Sequence, residues 1–383
     1  MGGHHASFSL FPRSNGIYSF QIWNPGARRY EVARSTGTRN KAKAKSLANA
    51  HLEKKRQEAL TPTDPIFASY LLETWDWDAS SYVRSKLLRR PDGLTKAYVQ
   101  TSLSFCRRYA KPFFKDRKLS AITSRELENF LLTLRDTTKL APKSINAVYD
   151  AAAIPLREAC RLGMIANDPT KAIRKLWVPH TEKGIPTINE LHDLLGEVQG
   201  EGRLEAACLL AATCGLRLGE IRALRFEDIE AERLFVRHSY SVVDGLKKPK
   251  NGRQRVVPLP QFVHEKLMVL ASKNPQGEQW LLWGKASGKP VSPGFLEDGF
   301  NEALARIGIS DKARVERRLS FHSLRHFCNS MLRGTIPDEK LRLLTGHRSE
   351  AMTEHYDHVT DLDLAAMRVV QDSRIVAMLR NIA

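Results

Sequence analysis

Two proline-bearing breaks do most to limit how this chain can fold. Thr61-Pro62-Thr63-Asp64-Pro65 is short, polar and stiff, and Trp177-Val178-Pro179-His180-Thr181-Glu182-Lys183-Gly184-Ile185-Pro186 is a second interruption, just ahead of a new helix start. Proline removes a backbone donor and pushes the residue before it toward extended conformations, so neither stretch continues a helix. At 383 residues the chain is too long for one ordinary core and has ample apolar material for two or three. The breaks therefore predict three domains: residues 1–60, 66–176 and 185–383.

The stretches between the breaks differ in periodicity. In the first, Tyr18, Phe20 and Ile22 alternate with polar residues as in a strand, and Asn24-Pro25-Gly26 reads as a turn. Arg29 to Ala33 can pair back, and Thr38 is placed to cap a helix from about Asn40 to Glu58. The second stretch reads as helix throughout, with Thr123-x-x-Glu126 as a capping box. There Pro142-Lys143-Ser144 opens an apolar-periodic run through Ile145, Val148, Ala152 and Leu156. The third begins at another capping box, Thr187-x-x-Glu190, and is helical apart from strand-like Leu234, Val236 and Val256-Val257, with Asn251-Gly252 as a hairpin turn signal. Its tail places Leu364, Met367, Val370, Ile375, Met378 and Leu379 at helical spacing. The expected class is mainly α with small β elements. It comprises a small sheet-plus-helix amino-terminal domain, a helical middle domain, and a mostly helical third domain with a β-hairpin.

Charge points to a polyanionic partner. The formal net charge is +18, and the first sixty residues alone hold eleven Lys or Arg against three Glu. Neutralising phosphates releases counterions, which gives sequence-independent affinity for nucleic acid. Lys96, Arg107, Arg108, Lys111, Lys143 and Arg157 add positive charge to the middle helices. The five cysteines, Cys106, Cys160, Cys208, Cys214 and Cys328, are odd in number and widely spaced, which argues against a disulfide framework or a zinc site. With no apolar run long enough to span a bilayer and no signal-like start, the expectation is a soluble protein of a reducing compartment, cytoplasmic and associated with the nucleoid.

Several motifs are weak one at a time. Arg217 lies in Cys214-Gly215-Leu216-Arg217-Leu218-Gly219-Glu220, and Gly-Leu-Arg-x-x-Glu is by itself a common helix start with a surface ion pair. His322 and Arg325 lie in Phe321-His322-Ser323-Leu324-Arg325-His326, which is also an ordinary i, i+3 pair on a helix. Lys250 is at the hairpin turn, His347 ends Leu344-Thr345-Gly346-His347, and Tyr356 follows nine positions later. Taken in order, with the basic hairpin ending in Arg255-Val256-Val257-Pro258-Leu259, they resemble the tyrosine recombinases of the phage-integrase family over about residues 187–360. Cys214 and Thr345 stand where threonine and leucine are frequent in that family, and neither is a catalytic position.

The resemblance implies a site-specific DNA recombinase that cleaves and rejoins strands through a 3′-phosphotyrosyl intermediate. It implies that residues 1–60 are an arm-type DNA-binding domain, 66–176 a core-binding domain and 185–383 the catalytic domain with its tail helix. Phosphoryl transfer spreads negative charge over the nonbridging oxygens, and planar guanidinium forks match that geometry, so Arg217 and Arg325 are the expected clamp. The resemblance makes Tyr356 the nucleophile, has His322 help take the phenol proton and His347 bond the phosphate, and assigns the leaving-group acid to Lys250, with Lys247 and Lys248 near it in sequence. Phenolate at pH 7 costs roughly 4 kcal/mol from an ordinary tyrosine, which the surrounding cations offset. Glu220 is expected to orient Arg217. No cofactor is expected, because the covalent ester conserves the bond energy, and no metal is expected, since His355-x-x-His358 lacks an accompanying acidic or cysteine cluster. The implied partners are double-stranded DNA at core and arm sites, three further copies of the chain in a homotetramer, and a DNA-bending or directionality factor, with no membrane. The tail is expected to pack on a neighbouring protomer. Two other functions fit parts of the pattern: a type IB topoisomerase, and a DNA-binding protein without catalysis.

Overall fold

The computed structural model describes residues 7–24, 29–60, 64–249, 254–275, 277, 279–346 and 361–377. It divides into two compact units, Met1–Val178 and Pro179–Ala383, with the division inside the second proline-bearing break.

The first unit opens with a four-stranded sheet: β1 (Phe8–Pro12), β2 (Tyr18–Asn24), β3 (Arg29–Tyr30) and β4 (Arg34–Ser35). All pairings run antiparallel through β2, with Leu10 opposite Phe20, Trp23 opposite Tyr30, and Ser19 opposite Ser35. Strand β1 was not expected, and the predicted return strand is two short pieces. Helix α1 (Lys41–Leu60) lies on this sheet. Ala44 and Ala48, a turn apart and fully buried, let its backbone approach Phe20 and Ile22. The cap is Asn40 and not Thr38. Asn40 Oδ1 accepts from the amides of Ala42 and Lys43, the geometry of a capping residue, whereas Thr38 Oγ1 accepts from Asn40 N one step earlier. The Pro25-Gly26 turn lies outside the described residues.

Helices α2 (Phe67–Thr74), α3 (Ser81–Arg89), α4 (Lys96–Phe105), α5 (Lys111–Phe114), α6 (Ser124–Thr137) and α7 (Pro142–Arg161) follow in the same unit. A π-turn over Cys106–Ala110 joins α4 to α5. The Thr123–Glu126 capping box forms, and Ile145, Val148, Ala152 and Leu156 are all buried along α7. Trp75 is wholly buried and donates its indole N–H to Ala151 O at 2.7 Å. Phe67, Phe114 and Phe130 pack edge-on and tilted, at centroid distances of 4.9 and 5.1 Å.

The second unit begins with α8 (Ile188–Glu197), whose Thr187–Glu190 capping box forms as predicted, and continues with α9 (Arg203–Cys214) and α10 (Leu218–Ala223). From Leu204 to Cys214 every residue of α9 except Glu205 is buried, because other helices surround it. Those helices include α8, α10, α11 (Gln261–Ser272), α12 (Pro293–Arg306) and, past α13 (Asp311–Glu316), α14 (Phe321–Leu332). Between α10 and α11 run β5 (Arg233–Val236), β6 (Ser239–Ser241), β7 (Gly245–Lys247) and β8 (Arg255–Pro258). Strand β5 pairs with β8 and β6 with β7, and a tight reversal not expected from the sequence runs through Val242, Val243 and Asp244. The expected turn residues Asn251 and Gly252 lie outside the described set.

The unit closes with α15 (Asp338–Thr345) and α16 (Asp361–Gln371), the latter running into a π-turn over Asp372–Val376. The tail docks on its own unit. Met367 and Ile375 are buried in the same core as α9 and α14, Gln371 donates to Thr213 O at 2.9 Å, and Lys340 pairs with Asp363 at 3.0 Å. Packing on a neighbour is thus not needed to cover those apolar residues. All five cysteines are free thiols. No helix among the described residues is long and apolar enough to cross a membrane.

Candidate active site

The site is built around one carboxylate, that of Glu220, and the end of α15. Helix α9 ends at Gly215, whose φ of +64° turns the chain out of the helix. A Cβ there would only touch Cys328 Sγ at 3.4 Å and Thr345 Cγ2 at 3.6 Å, so it is the positive φ that calls for glycine. Two residues later Arg217 is the N-cap of α10, and Glu220 folds back so that its Oε2 accepts from Arg217 N at 2.9 Å and its Oε1 from Arg217 Nη1 at 2.9 Å. Arg255, at the start of β8, completes the arrangement with a bidentate pair, Nη1 to Oε1 at 3.0 Å and Nη2 to Oε2 at 2.7 Å.

Glu220 is therefore a buried anion with four donors. Burial alone would raise its pKa, but the Arg255 hydrogen bonds and charge, with those of Arg217, bring it down to about 2. It is ionised at neutral pH.

Arg325 comes from the second turn of α14 and is 1 % exposed. Its Nη1 donates to Gly215 O and its Nη2 to Thr345 O. Burial first, then the neighbouring Arg217 charge, lowers its pKa to about 9, so it still carries its charge at neutral pH. His322 is one turn back on the same helix, and its ring meets that of His326 edge-on at 4.7 Å. Although solvent reaches His322, partial burial is the largest cause of its depressed pKa, about 4, followed by His326, Arg325, Arg217 and Lys183. The imidazole is thus neutral at pH 7 and free to accept a proton.

All three guanidinium groups are fastened to the end of α15. Three consecutive carbonyls accept from three different arginines: Leu344 O from Arg255 Nε at 2.8 Å, Thr345 O from Arg325, and Gly346 O from Arg217 Nη2 at 2.9 Å. The last carbonyls of a helix lack intrahelical donors and form the negative end of its dipole, so cations satisfy them on both counts. Gly346 has φ +62°, and a Cβ there would lie 3.3 Å from Arg255 Nη1 and 3.5 Å from Arg217 Nη1. Glycine lets the helix end come this close.

Of the six residues expected to be catalytic, the structure brings Arg217 and Arg325 into one network and sets His322 beside it. Lys250, His347 and Tyr356 lie outside the described residues, as do His355 and His358. Among the described residues no group of three His, Cys, Asp or Glu side chains is placed to hold a metal. Sequence reasoning gave Arg255 no role. A signal was present: Arg255 shares the inward face of β8 with Val257 and stands opposite buried Val236, and an arginine on the buried face of a strand needs a partner.

The fold is that of known integrases. The chain is similar to lambda integrase, solved as a dimer bound to a core site (18 % identity, TM-score 0.56, 92 % of this chain and 97 % of that one). It is also similar to the Tn1549 transposon integrase (15 % identity, TM-score 0.59, 77 % and 97 %). Residues 186–362 match the family described as "Phage integrase family". A Sinorhizobium fredii protein named as an integrase/recombinase is 32 % identical over 168 residues, covering 43 % of this chain and 81 % of that protein. A tyrosine recombinase XerC-like protein of Caldanaerobacter subterraneus is 26 % identical over 275 residues, 63 % of this chain and 68 % of that one. This chain belongs to the phage integrase family, and it is a tyrosine site-specific DNA recombinase.

Proposed function

We propose that Arg217 and Arg325 clamp the scissile phosphate while Tyr356 attacks it, forming a 3′-phosphotyrosyl ester and releasing a 5′-hydroxyl. In this reading His322 accepts the phenol proton, His347 donates a hydrogen bond to a nonbridging oxygen, and Lys250 protonates the departing 5′ oxygen. Rejoining reverses the same steps with a 5′-hydroxyl from another strand. The observation that supports this most is the fastening of three guanidiniums to the end of α15, because the residues that follow in sequence are His347 and, nine positions later, Tyr356. A cation cluster tied to the start of the nucleophile-bearing segment is preorganised for charge that develops on the phosphate.

Lambda integrase has been solved as a tetramer on a Holliday junction. By analogy, this chain acts as a homotetramer on two duplexes and exchanges one strand pair at a time. Residues 1–60 bind arm sites, 66–176 bind core sites and 185–383 do the chemistry. Exposed Lys41, Lys43 and Lys45 on α1 and Arg107 and Arg108 beyond α4 are the phosphate-facing charges of the first two. A DNA-bending or directionality factor would assist where arm and core sites must be brought together, and the protein works on DNA in the nucleoid.

The test is a duplex selected by the full chain from a random-sequence pool, then nicked beside the protected centre to trap the covalent product. Wild type is expected to form a protein–DNA adduct and Tyr356→Phe none. An adduct in the Phe variant would remove Tyr356 from the mechanism. Relaxation of plasmids lacking the selected site would move the reading to a topoisomerase, and tight binding without any adduct would leave only DNA binding.

A further inference from the structure

We propose that Arg255 is a positioning residue for strand cleavage, a strut that holds Glu220, and through it Arg217, at a fixed place against the end of α15. This rests on the reading of Tyr356 as nucleophile and adds to it a residue that does not touch the substrate.

The geometry separates Arg255 from Arg217. Its Nε, Nη1 and Nη2 all donate to protein acceptors: Leu344 O at 2.8 Å, and the two oxygens of Glu220 at 3.0 and 2.7 Å. Its side chain is 10 % exposed, against 19 % for Arg217. Each Glu220 oxygen receives one bond from Arg255 and one from Arg217, the latter once through the backbone amide and once through Nη1. Arg217 therefore gives Glu220 a single side-chain N–H and Gly346 another. Without Arg255, both carboxylate oxygens would compete for the Arg217 fork. A bidentate Arg–carboxylate pair is the favoured geometry, so Arg217 would be drawn onto Glu220 and away from a phosphate.

Arg255 also ties two parts of the site that are distant in sequence. One end of the strut grips the carboxylate that caps α10, and the other grips the carbonyl three residues before His347. A shift of about 1 Å between clamp and nucleophile is enough to lower a rate about 100-fold. Two cations hold Glu220 ionised against the effect of burial, and removing one of them raises its pKa. Cleavage by an Arg255 variant should then fail at a higher pH than cleavage by wild type.

The experiment uses the full chain on the selected, nicked duplex, with single-turnover cleavage measured at saturating protein across pH. Arg255→Gln is expected to cleave about 100-fold more slowly, to bind the duplex as tightly as wild type, and to show its acid limb moved upward. Arg255→Lys restores the charge but not the three-point grip, so it should regain thermal stability without regaining the rate. In combination with Glu220→Gln the loss should be far from additive, since both act through one network. Should Arg255→Gln not fold, Arg255→Lys read by the same pH profile decides. Wild-type rates in the Arg255 variants, or a rate loss that only tracks the folded fraction with an unmoved acid limb, would overturn the inference alone. No adduct from wild type, with Tyr356→Phe run beside it, would overturn the Tyr356 reading and this inference with it.

Discussion

The two units bury different kinds of polar atoms. Among the described residues, the polar side chains buried in the first are the hydroxyls of Ser19, Thr74, Ser80 and Ser102, whereas the second buries, besides the hydroxyls of Thr213, Ser323 and Thr345 and the amide of Gln371, the charged Glu220, Arg222, Asp228 and Arg325. A hydroxyl finds an acceptor locally, as Thr74 does at Tyr70 O (2.8 Å) and Ser80 at Thr74 O (2.7 Å), and costs little to enclose. A charge loses several kcal/mol of solvation and recovers it only from well-placed partners. The second unit accepts that cost where charge must be held rigid in advance of a phosphate. Preorganised cations need not reorient during the reaction, and this is the larger part of what such a site contributes. The first unit needs only a stable body on which to present basic side chains.

The largest expected effect separates the two interiors. Arg325→Ala should lower single-turnover cleavage by a factor of hundreds, about 3 to 4 kcal/mol of transition-state stabilisation, and it leaves Gly215 O and Thr345 O without that donor. Phe114→Ala in the first unit should lower folding stability by about 3 to 5 kcal/mol through cavity formation. Cleavage by its folded fraction should not change. Denaturant melts and single-turnover rates on the same preparations test both. If Phe114→Ala lowered the rate of folded protein as deeply as Arg325→Ala, the division between a stabilising and a catalytic interior would be broken.

Acid should open the second unit first. Glu220 has a folded pKa of about 2 against 4.5 for a free glutamate, so its contribution is complete above about 4.5 and is lost as pH falls toward 2. The size is at most about 3 kcal/mol. Glu190, held to about 2 first by the Arg317 hydrogen bonds, acts in the same direction with a smaller effect because the pair is partly exposed. His322 adds to the trend: its folded pKa of about 4 lies below 6.5, so the unfolded chain takes the proton first as pH drops between those values. In the first unit Glu126 and Glu158 are also lowered, but their arginine partners are largely solvated. Hydrogen exchange between pH 6 and 3 should therefore show protection fading around α10 and β8 before it fades in α7. The reverse order would show that the buried network is not the acid-labile part.

What could be read from the sequence follows the range of the forces involved. Both capping boxes, at Thr123 and Thr187, are contained in four residues, and the burial of α7 follows from a period within one helix. Arg217 and Arg325 were legible because each sits in a compact motif. The pairing of β5 with β8 was not, because its register is set by inward-facing Leu234, Val236 and Val257, which only the fold brings together. Arg255 was missed for a related reason. Its partners, Glu220 and Leu344, are 35 and 89 positions away, and only the fold brings them together. Strand β1 could have been read: Asn15-Gly16, an Asn-Gly turn with φ +75° at Gly16, lies between it and β2 and closes the hairpin.

The smallest effect tests whether polar burial in the second unit matters away from the arginines. Gln371 of the tail is fully buried, donates to Thr213 O at 2.9 Å and leaves its own Oε1 without a hydrogen-bond partner. Thr213 O also accepts from Cys328 Sγ at 3.2 Å, so it keeps a donor if Gln371 is replaced. Gln371→Met keeps the length and packing of the side chain, gives up the bond to Thr213 O together with a long one to Pro258 O at 3.5 Å, and removes one unpaired buried oxygen. The first loss is worth about 1 kcal/mol, and burial of an unpaired oxygen costs a comparable amount, so the two should nearly cancel. Denaturant melts should place Gln371→Met within about 1 kcal/mol of wild type, with cleavage unchanged. A loss of about 3 kcal/mol would mean that the tail amide is a structural anchor in its own right. Polar burial in this unit would then serve stability as well as the phosphate site, and the contrast between the two units would be one of degree.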